Sequence, residues 1–518
     1  MTAAGIKGIW PGSSDSDPLD AVTTLAELEA VVRGEATTEP AIVENSDDAL
    51  ALVFTQRHGG SLRYTAKLGL WFVWSDNVWR PDNTLAIFDR VRKICRDESV
   101  PCPDKRIALR ISSAQTVAAV ERLARADRRH AATIDQWDSN LWLLNTPSGV
   151  VDLQTGNLRP AARGDYMTKI TAASPGGSCQ KWQAFLARIT GGDVGLQRFL
   201  QRMCGYALTG SIREHALFFL YGTGANGKSV FLNTLSGILG DYAKTAPIEA
   251  FIASKNEHHP TDIAGLQGAR LVTSVETEDG RRWAEAKIKA LTGGDRVSAR
   301  FMRQDFFEYV PQFKLLIAGN HRPGLRTVDE AIKRRFHLVP FTVTIPVPER
   351  DLELGEKLHA EWGGILQWAI EGCLAWQREG LCAPKAVVDA TENYLAAEDV
   401  FGQWVEERCA TEVNTFGLSS SLFEDWKNWA ESRGEFTGKQ KKFSETLQSR
   451  GFRPGRTNSI RGFHGIRLKR GSVTDVTDSP IIPVTRAHTR IRSKPDDPSH
   501  ASLEAGETTP KETQVTWL

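Results

Sequence analysis

Apolar and polar positions recur along this chain with several different periods, and the changes of period mark its parts. Up to about residue 45, Ser, Thr, Asp, Pro and Ala dominate, with one short helical pattern at 24–33. Such a stretch buries too little apolar surface to order itself and reads as a flexible arm, 1–45. From Asp47, DDALALVFTQRHGG sets Ala49, Leu50, Leu52 and Val53 at helical positions and stops at Gly59 and Gly60. LWFVWSDNVWRPD predicts strands at 71–74 and 78–80 around the turn residues Ser75, Asp76 and Asn77. Helical stretches follow at about 84–97 and 113–127, and a second hairpin, in GVVDLQTGNLRP, turns at Thr155, Gly156 and Asn157. Residues 46–175 are thus expected to form a small α+β domain, with the alternating aromatics from Trp71 to Trp79 in its core.

A break at SPGGSC, 174–179, precedes the next part. Residues 180–212 read as helical. From 215 onward ALFFLYG, ARLVTSVE, FKLLIAGN and FHLVPF alternate with helical patterns. Near-continuous apolar strands followed by helices predict an α/β unit, 180–390, around a mostly parallel, buried sheet. From about Thr391 the texture changes again. Helical patterns at 392–409, 419–432 and 439–450 lead into RGFRPG and HGIRLKR, and three helices with a small β-wing are the layout of a winged-helix module, 391–470. Beyond Arg470 apolar periodicity ends, and 471–518 is expected to be a disordered tail.

The 518 residues are 41% hydrophobic and 25% charged, an ordinary globular balance. No apolar run has the length of a membrane span, and the N-terminus lacks the basic and apolar regions of a signal peptide. A protein working in the cytoplasm of whatever cell makes it is the expectation. The seven cysteines form no CxxC pair and no zinc-spaced cluster, so reduced thiols are expected rather than disulfides or a zinc ribbon.

Chemistry enters at GTGANGKS, 222–229, which satisfies G-x-x-x-x-G-K-[ST] between an apolar strand and a helix. Gly222, Gly224 and Gly227 permit the tight wrap, across Asn226, that turns backbone N–H groups toward phosphate oxygens. The helix N-terminus adds unpaired donors. Lys228 would reach the β- and γ-phosphates of ATP, and the Ser229 hydroxyl would complete the Mg²⁺ shell. The strand at 270–275 delivers Glu276 at its carboxyl end, where an acid can hold the metal or polarise water; Glu278 is the second choice. The competing reading is a solvated acidic turn. Asn320, after the strand at 313–318, would orient the lytic water.

Taken in order, GTGANGKS, LVTSVETE, LTGGDRVSARF, FKLLIAGN and DEAIKRRFHLVPF resemble the superfamily 3 helicase part of phage and plasmid primase–helicases. WFVWSDNVWR and LLNTPSGVVDLQTGNLRP resemble the domain that precedes that motor, so the resemblance covers about 45–470. It implies a P-loop, AAA+-like core in which Gly222, Gly227, Lys228 and Ser229 form the Walker A loop. Glu276 then matches the Walker B acid and Asn320 the polar sensor. Arg334 and Arg335 fall where the family carries an arginine finger, Arg335 matching better by its spacing to FHLVPF. A finger acting on a neighbour implies a homo-hexameric ring with sites between subunits. Without the resemblance, Lys333, Arg334 and Arg335 read as an exposed basic helix end. Lys289, ahead of LTGGD, has a spacing that lets it meet a neighbour's phosphates.

Two segments suit DNA. Residues 296–309, RVSARFMRQDFFEY, fold as a hairpin with its tip near 302–304. Relatives grip single-stranded DNA with such a hairpin; here Arg300 and Arg303 would hold phosphate and Phe301 would stack on a base, with Phe306 and Phe307 in the core. Residues 427–470 carry twelve Lys/Arg against three Glu, in a chain whose net charge is +1. That local field attracts a polyanion. Lys439, Lys441 and Lys442 open the expected recognition helix, and Arg461 and Arg467 flank the wing. A solubilising or subunit-docking face is the alternative.

The leading expectation is an ATP-dependent helicase of phage, plasmid or prophage replication that moves on single-stranded DNA. An origin-binding initiator with weak unwinding and a protein-remodelling ATPase are the alternatives. The roughly 45 residues ahead of the first domain are too few for a primase domain, so any primase is expected to be a separate chain.

Overall fold

The computed structural model describes residues 44–254, 261–276, 280–303, 305–457 and 460–469. The expected arm up to residue 43, Glu278, Gln304 and the expected tail lie outside the described residues. No helix among the described residues is long and apolar enough to cross a membrane.

The first elements are α1 (Asp47–His58), the antiparallel sheet β1 (Leu62–Thr65), β2 (Leu70–Ser75) and β3 (Val78–Pro81), then α2 (Ala86–Ser99), α3 (Lys105–Ile111) and α4 (Ala114–Ala124). Ser46 caps α1 by accepting from the Ala49 amide. Asp76 and Asn77 take positive φ in the tight β2–β3 turn, as a two-residue hairpin requires. Trp71 and Trp79 are buried, in agreement with a core role for this aromatic hairpin. A second antiparallel sheet follows, β4 (Leu143–Thr146), β5 (Gly149–Asp152) and β6 (Asn157–Arg159).

The stretch expected as one helix from 180 is two, α5 (Gln180–Ile189) and α6 (Val194–Leu208), separated where Gly191 and Gly192 adopt positive φ. Next come β7 (Leu217–Tyr221), α7 (Lys228–Leu239), β8 (Ala243–Thr245), the single turn α8 (Thr261–Ala264), β9 (Leu271–Glu276) and α9 (Glu285–Gly293). The hairpin β10 (Val297–Ala299) and β11 (Phe307–Tyr309) precedes β12 (Lys314–Gly319), α10 (Glu330–Lys333), β13 (Phe336–Pro340), α11 (Leu354–His359), α12 (Trp362–Glu379) and α13 (Lys385–Glu398).

Five of these strands make one parallel sheet, ordered β13-β7-β12-β9-β8. Their apolar runs follow from burial on both faces. Phe218, Leu220, Leu316 and Ala318 join one core with α5, α6, α7 and α12, while Leu217, Phe219, Leu315 and Ile317 join a second with α9. Helix α6 meets α12 with almost no gap: a Cβ on Gly205 would lie 2.0 Å from the Cys373 amide nitrogen, and one on Gly372 2.1 Å from the Gln201 carbonyl oxygen. The carboxyl end of α6 is held by two buried basic side chains. Arg270 donates to Leu208 O at 2.8 Å, and Lys314 donates to Thr209 O, satisfying carbonyls that the helix end leaves unpaired. Their other faces rest on Tyr242 and Tyr206, 4.6 and 4.8 Å from the ring centroids.

His337 on β13 stacks on Phe218 with centroids 5.3 Å apart, and burial pushes its pKa from the ordinary 6.5 down to about 4. The unfolded chain therefore binds more protons between those values, and stability should fall as pH drops from about 6.5 towards 4. Unfolding midpoints measured across this range should flatten in His337→Leu; an unchanged slope would assign the pH dependence elsewhere.

The chain divides into two compact units after Gln403 rather than at 391, and the first unit contains both expected N-terminal domains. The reason lies in α13, which belongs to the first unit: Thr391 accepts from the Leu338 amide at 2.9 Å, and buried Tyr394 donates to Pro323 O. The helix expected over 392–409 is accordingly split at Asp399, and α14 (Val400–Arg408) leads into the second unit.

The second unit continues through β14 (Cys409–Ala410), β15 (Phe416–Leu418), α15 (Ser419–Ser432), α16 (Gln440–Ser449), β16 (Arg453–Thr457), β17 (Ile460–His464) and β18 (Arg467–Leu468). Its three-stranded sheet has the order β15-β17-β16, and β14 pairs with β18. Trp404 and Trp426, with ring centroids 5.7 Å apart, pack with Phe443 at its centre. Buried Asp425 accepts from Trp404 Nε1 at 2.8 Å and from Arg408 Nη2 at 2.7 Å.

Candidate functional site

The sheet register assembles the site. Tyr221, Gly319 and Glu276 are lateral neighbours across β7, β12 and β9, so the chain leaves all three strands on one level. Gly222 and Asn320 come directly after that level, and Glu276 is the last residue of β9. Crevices at the carboxyl ends of parallel strands are where such sheets bind ligands.

Between β7 and α7 the loop is tightly seated. A Cβ on Gly222 would lie 2.2 Å from Phe341 O, and one on Gly227 2.6 Å from Ile189 and 2.9 Å from Phe185 on α5. Gly227 also has φ +83 and serves as the N-cap of α7 with no side-chain cap, leaving the first helical amides to other acceptors. Gly224 has φ +109 and open space around it. Asn226 is the internal brace. Its Nδ2 donates to Phe341 O at 3.0 Å, while the Ile345 amide donates to Ala225 O at 2.8 Å.

Lys228 points into this cradle. Its buried ammonium donates to Gly222 O at 2.6 Å, Asn226 Oδ1 at 3.1 Å and Asn320 Oδ1 at 3.1 Å. All three acceptors are neutral, and burial lowers the lysine pKa. A desolvated cation held by dipoles, beside an uncapped helix N-terminus, suits a phosphate group. Ser229 is exposed at the second position of α7. The structure therefore brings Gly222, Asn226, Gly227, Lys228 and Asn320 into contact and places Ser229 and the end of β9 at the same sheet edge.

The two arginines after α10 differ. Arg334 is exposed, whereas Arg335 is buried, donating from Nε to Thr292 Oγ1 at 3.1 Å and from Nη1 to Ala331 O at 2.7 Å. Lys289 is engaged as well, 2.6 Å from Asp329 Oδ2. Burial alone would raise the Asp329 carboxyl; Lys289 and the Ile332 amide outweigh it and hold the pKa below its usual value. Glu285 Oε1 accepts from the amides of Arg326 and Thr327 at 2.6 and 3.1 Å. Residues 285, 289 and 292 stand four and three apart, on one face of α9, and all three grip the segment 326–335. Thr292 and Asp329 were not singled out from the sequence. Asp329 had a signal, as the Asp that N-caps α10.

The hairpin forms as expected, Val297 facing Tyr309 and Ala299 facing Phe307. Phe301, Met302 and Arg303 are exposed at its tip, and Arg300 lies 4.7 Å from the Phe306 ring centroid. Phe306 departs from the core role expected for it: it is 59% exposed, because the strands end before it and the tip projects beyond the packed layer. Phe307 is half-buried and stacks on Phe301.

In the second unit Lys439, Lys441 and Lys442 are exposed around the start of α16, and Arg461 is exposed on β17. Arg467 does not flank the wing. On β18 it pairs with Ala410 of β14, beyond the end of β17 that is far from the β16–β17 turn, and it lies 3.8 Å from Glu412.

Fold and site define a mixed α/β protein that gathers a lysine, an amide and a strand-end glutamate at the carboxyl edge of a five-stranded parallel sheet. Residues 51–191 match the family described as "D5 N terminal like", and residues 220–335 match a family of unknown function, DUF5906. The chain is 25% identical over 329 residues to a protein of Acanthamoeba polyphaga mimivirus named a putative helicase, covering 58% of this chain and 34% of that protein. It is 26% identical over 276 residues to one of Frog virus 3 (isolate Goorha) with the same description, covering 49% and 28%. The chain thus spans about a third of the length of the curated relatives it matches. The two family matches and the viral relatives support the phage primase–helicase family that the ordered motifs resemble. Among solved structures, the apo C-terminal region of NrS-1 has a TM-score of 0.47 at 10% identity, covering 82% of this chain and 100% of that one.

Proposed function

We propose that this chain is an ATP-driven DNA helicase of superfamily 3, with a P-loop, AAA+-like core and a winged-helix module at its C-terminal end. The observation that carries the reading is Lys228: a buried ammonium at the carboxyl edge of the sheet, held by neutral oxygens and in contact with Asn320. Bound ATP with Mg²⁺ would supply the transferable phosphoryl group and its charge neutralisation. Lys228 and the first amides of α7 would hold the phosphates, and Ser229 with Glu276 would hold the metal, which needs few protein groups beside phosphate oxygens. Glu276 would take a proton from water, and Asn320 would orient that water.

The exposed Arg334 suits the finger that acts on a neighbouring subunit; Arg335, turned inward, suits a positioning role. That division favours a ring, with Lys289 steadying the same segment through Asp329. Arg300, Phe301 and Arg303 would engage single-stranded DNA at the hairpin tip, and Lys439, Lys441, Lys442 and Arg461 would engage DNA from the second unit. That basic unit also favours a second reading, an origin-binding initiator working with a separate primase.

Phosphate release measured with and without single-stranded DNA tests the proposal, followed by strand displacement on a forked duplex. DNA-stimulated turnover together with displacement is the expected result. Stimulation without displacement would favour the initiator, and turnover indifferent to DNA would sink the motor reading.

A further inference from the structure

His215, two residues ahead of β7, takes a φ of +52. A side chain with a Cβ is strained there, Asn and Asp less than others. Contacts on both sides hold the backbone in that conformation. Arg213 lies 4.0 Å over the Trp376 ring of α12, and Glu214 accepts from Trp376 Nε1 at 2.9 Å. On the other side the Leu217 amide donates to Arg335 O at 2.7 Å. The turn so fixed brings His215 Nδ1 within 2.9 Å of Thr292 O. A carbonyl only accepts, so Nδ1 carries the proton and donates it. Thr292 belongs to the last turn of α9, where helix carbonyls lack an intrahelical partner. Ile212 closes over the same helix end: a Cβ on its C-cap, Gly294, would lie 3.2 Å from Ile212 Cδ1.

Thr292 joins this turn to the arginine pair. Its carbonyl accepts from His215, its hydroxyl accepts from Arg335 Nε, and Arg335 O accepts from Leu217. Leu217 follows His215 by two residues, so the links close into a ring that holds Arg335 by both its backbone and its guanidinium. Arg334, exposed, is the next residue back along the chain. The ring stands at the amino end of β7, and the carboxyl end of that strand leads into Gly222. Strain kept at a non-glycine residue marks places where the position of a side chain matters. Here it is spent on the bond that completes the ring.

We propose that His215 is a positioning residue for Arg334. Through Thr292 and Arg335 it fixes the base of that arginine to β7, so that a neighbouring subunit's phosphates meet the guanidinium in one geometry. The inference rests on the reading of Arg334 as a finger and adds to it the group that aims it.

Steady-state ATP turnover of the full chain, with unfolding midpoints on the same preparations, is the test. His215→Gly removes the imidazole and also relieves the strain at positive φ, so the turn survives and only the bond is lost. Its kcat should fall roughly ten- to a hundredfold, with KM for ATP within about twofold of wild type. His215→Asn places an amide nitrogen where Nδ1 stood and tolerates the same φ, so it should recover most of kcat. In an Arg334→Ala background, His215→Gly should cost little more, because both act through one side chain. If Arg334→Ala loses turnover while His215→Gly keeps it within about threefold of wild type, the proposal is overturned and the finger reading stands. Fully additive losses would also overturn it, leaving His215 as a cap on α9. Wild-type turnover in Arg334→Ala would remove the finger reading, and this inference with it.

Discussion

Lys228→Ala is expected to lower ATP turnover by about two to three orders of magnitude, with binding of labelled nucleotide falling in parallel. The size of the effect follows from where the ammonium sits. It is desolvated, so its interaction with a phosphate is weakly screened, and three oxygens have already fixed its position, so little ordering remains to be done on binding. The cost to the fold is small. The variant leaves Gly222 O and two amide oxygens short of a donor, while removing a charge whose pKa shows that burial opposes it. An unfolding midpoint close to that of the wild type, alongside lost turnover, is the expected pair of readings. Turnover within about threefold of wild type would remove the lysine from the phosphate site.

Glu276→Gln is expected to separate binding from chemistry. Glutamine keeps the size and the strand-end position but cannot take a proton, so turnover should fall by roughly two to four orders of magnitude while nucleotide affinity changes little. The register supports this division. Glu276 is one strand removed from Gly319 and two from Tyr221, so it stands at the end of β9, whereas the cradle is built from the ends of β7 and β12. Equilibrium binding and single-turnover phosphate release, measured on the same preparation, give the answer. A parallel loss of both would make Glu276 a structural acid rather than the hydrolytic one.

Much of the fold was legible because its main elements announce themselves locally. The four apolar runs became β7, β9, β12 and β13, since strands covered on both faces leave no room for polar alternation. The loop between β7 and α7 was legible through its glycines, two of which have no space for a side chain. Elements decided by tertiary pairing were not. The edge strand β8 has three residues, α3 has seven, and β1 and β4 have four each, too few for a period to show even though each pairs with the next strand along. Contacts between separated segments hid the roles of single residues too. RRFHLVPF gives no sign that Arg335 turns back onto Thr292 while Arg334 stays exposed, and apolar character alone assigned Phe306 to a core that ends before the hairpin tip. Arg467 was misplaced for a related reason: its short strand pairs with β14, which the sequence did not reveal.

The three grips of α9 on the segment 326–335 have a mechanical consequence. Glu285, Lys289 and Thr292 fasten the two pieces at both ends and in the middle, so they behave as one strut rather than as two neighbours. The grips run in the same order along both pieces, so the end of the strut that leads into β10 and the hairpin is also the end at which Arg334 emerges ahead of β13. A tug on the hairpin is therefore transmitted as strain along a short, stiff path to the base of that arginine. Slack would have to be created by breaking hydrogen bonds, not by bending a loose loop.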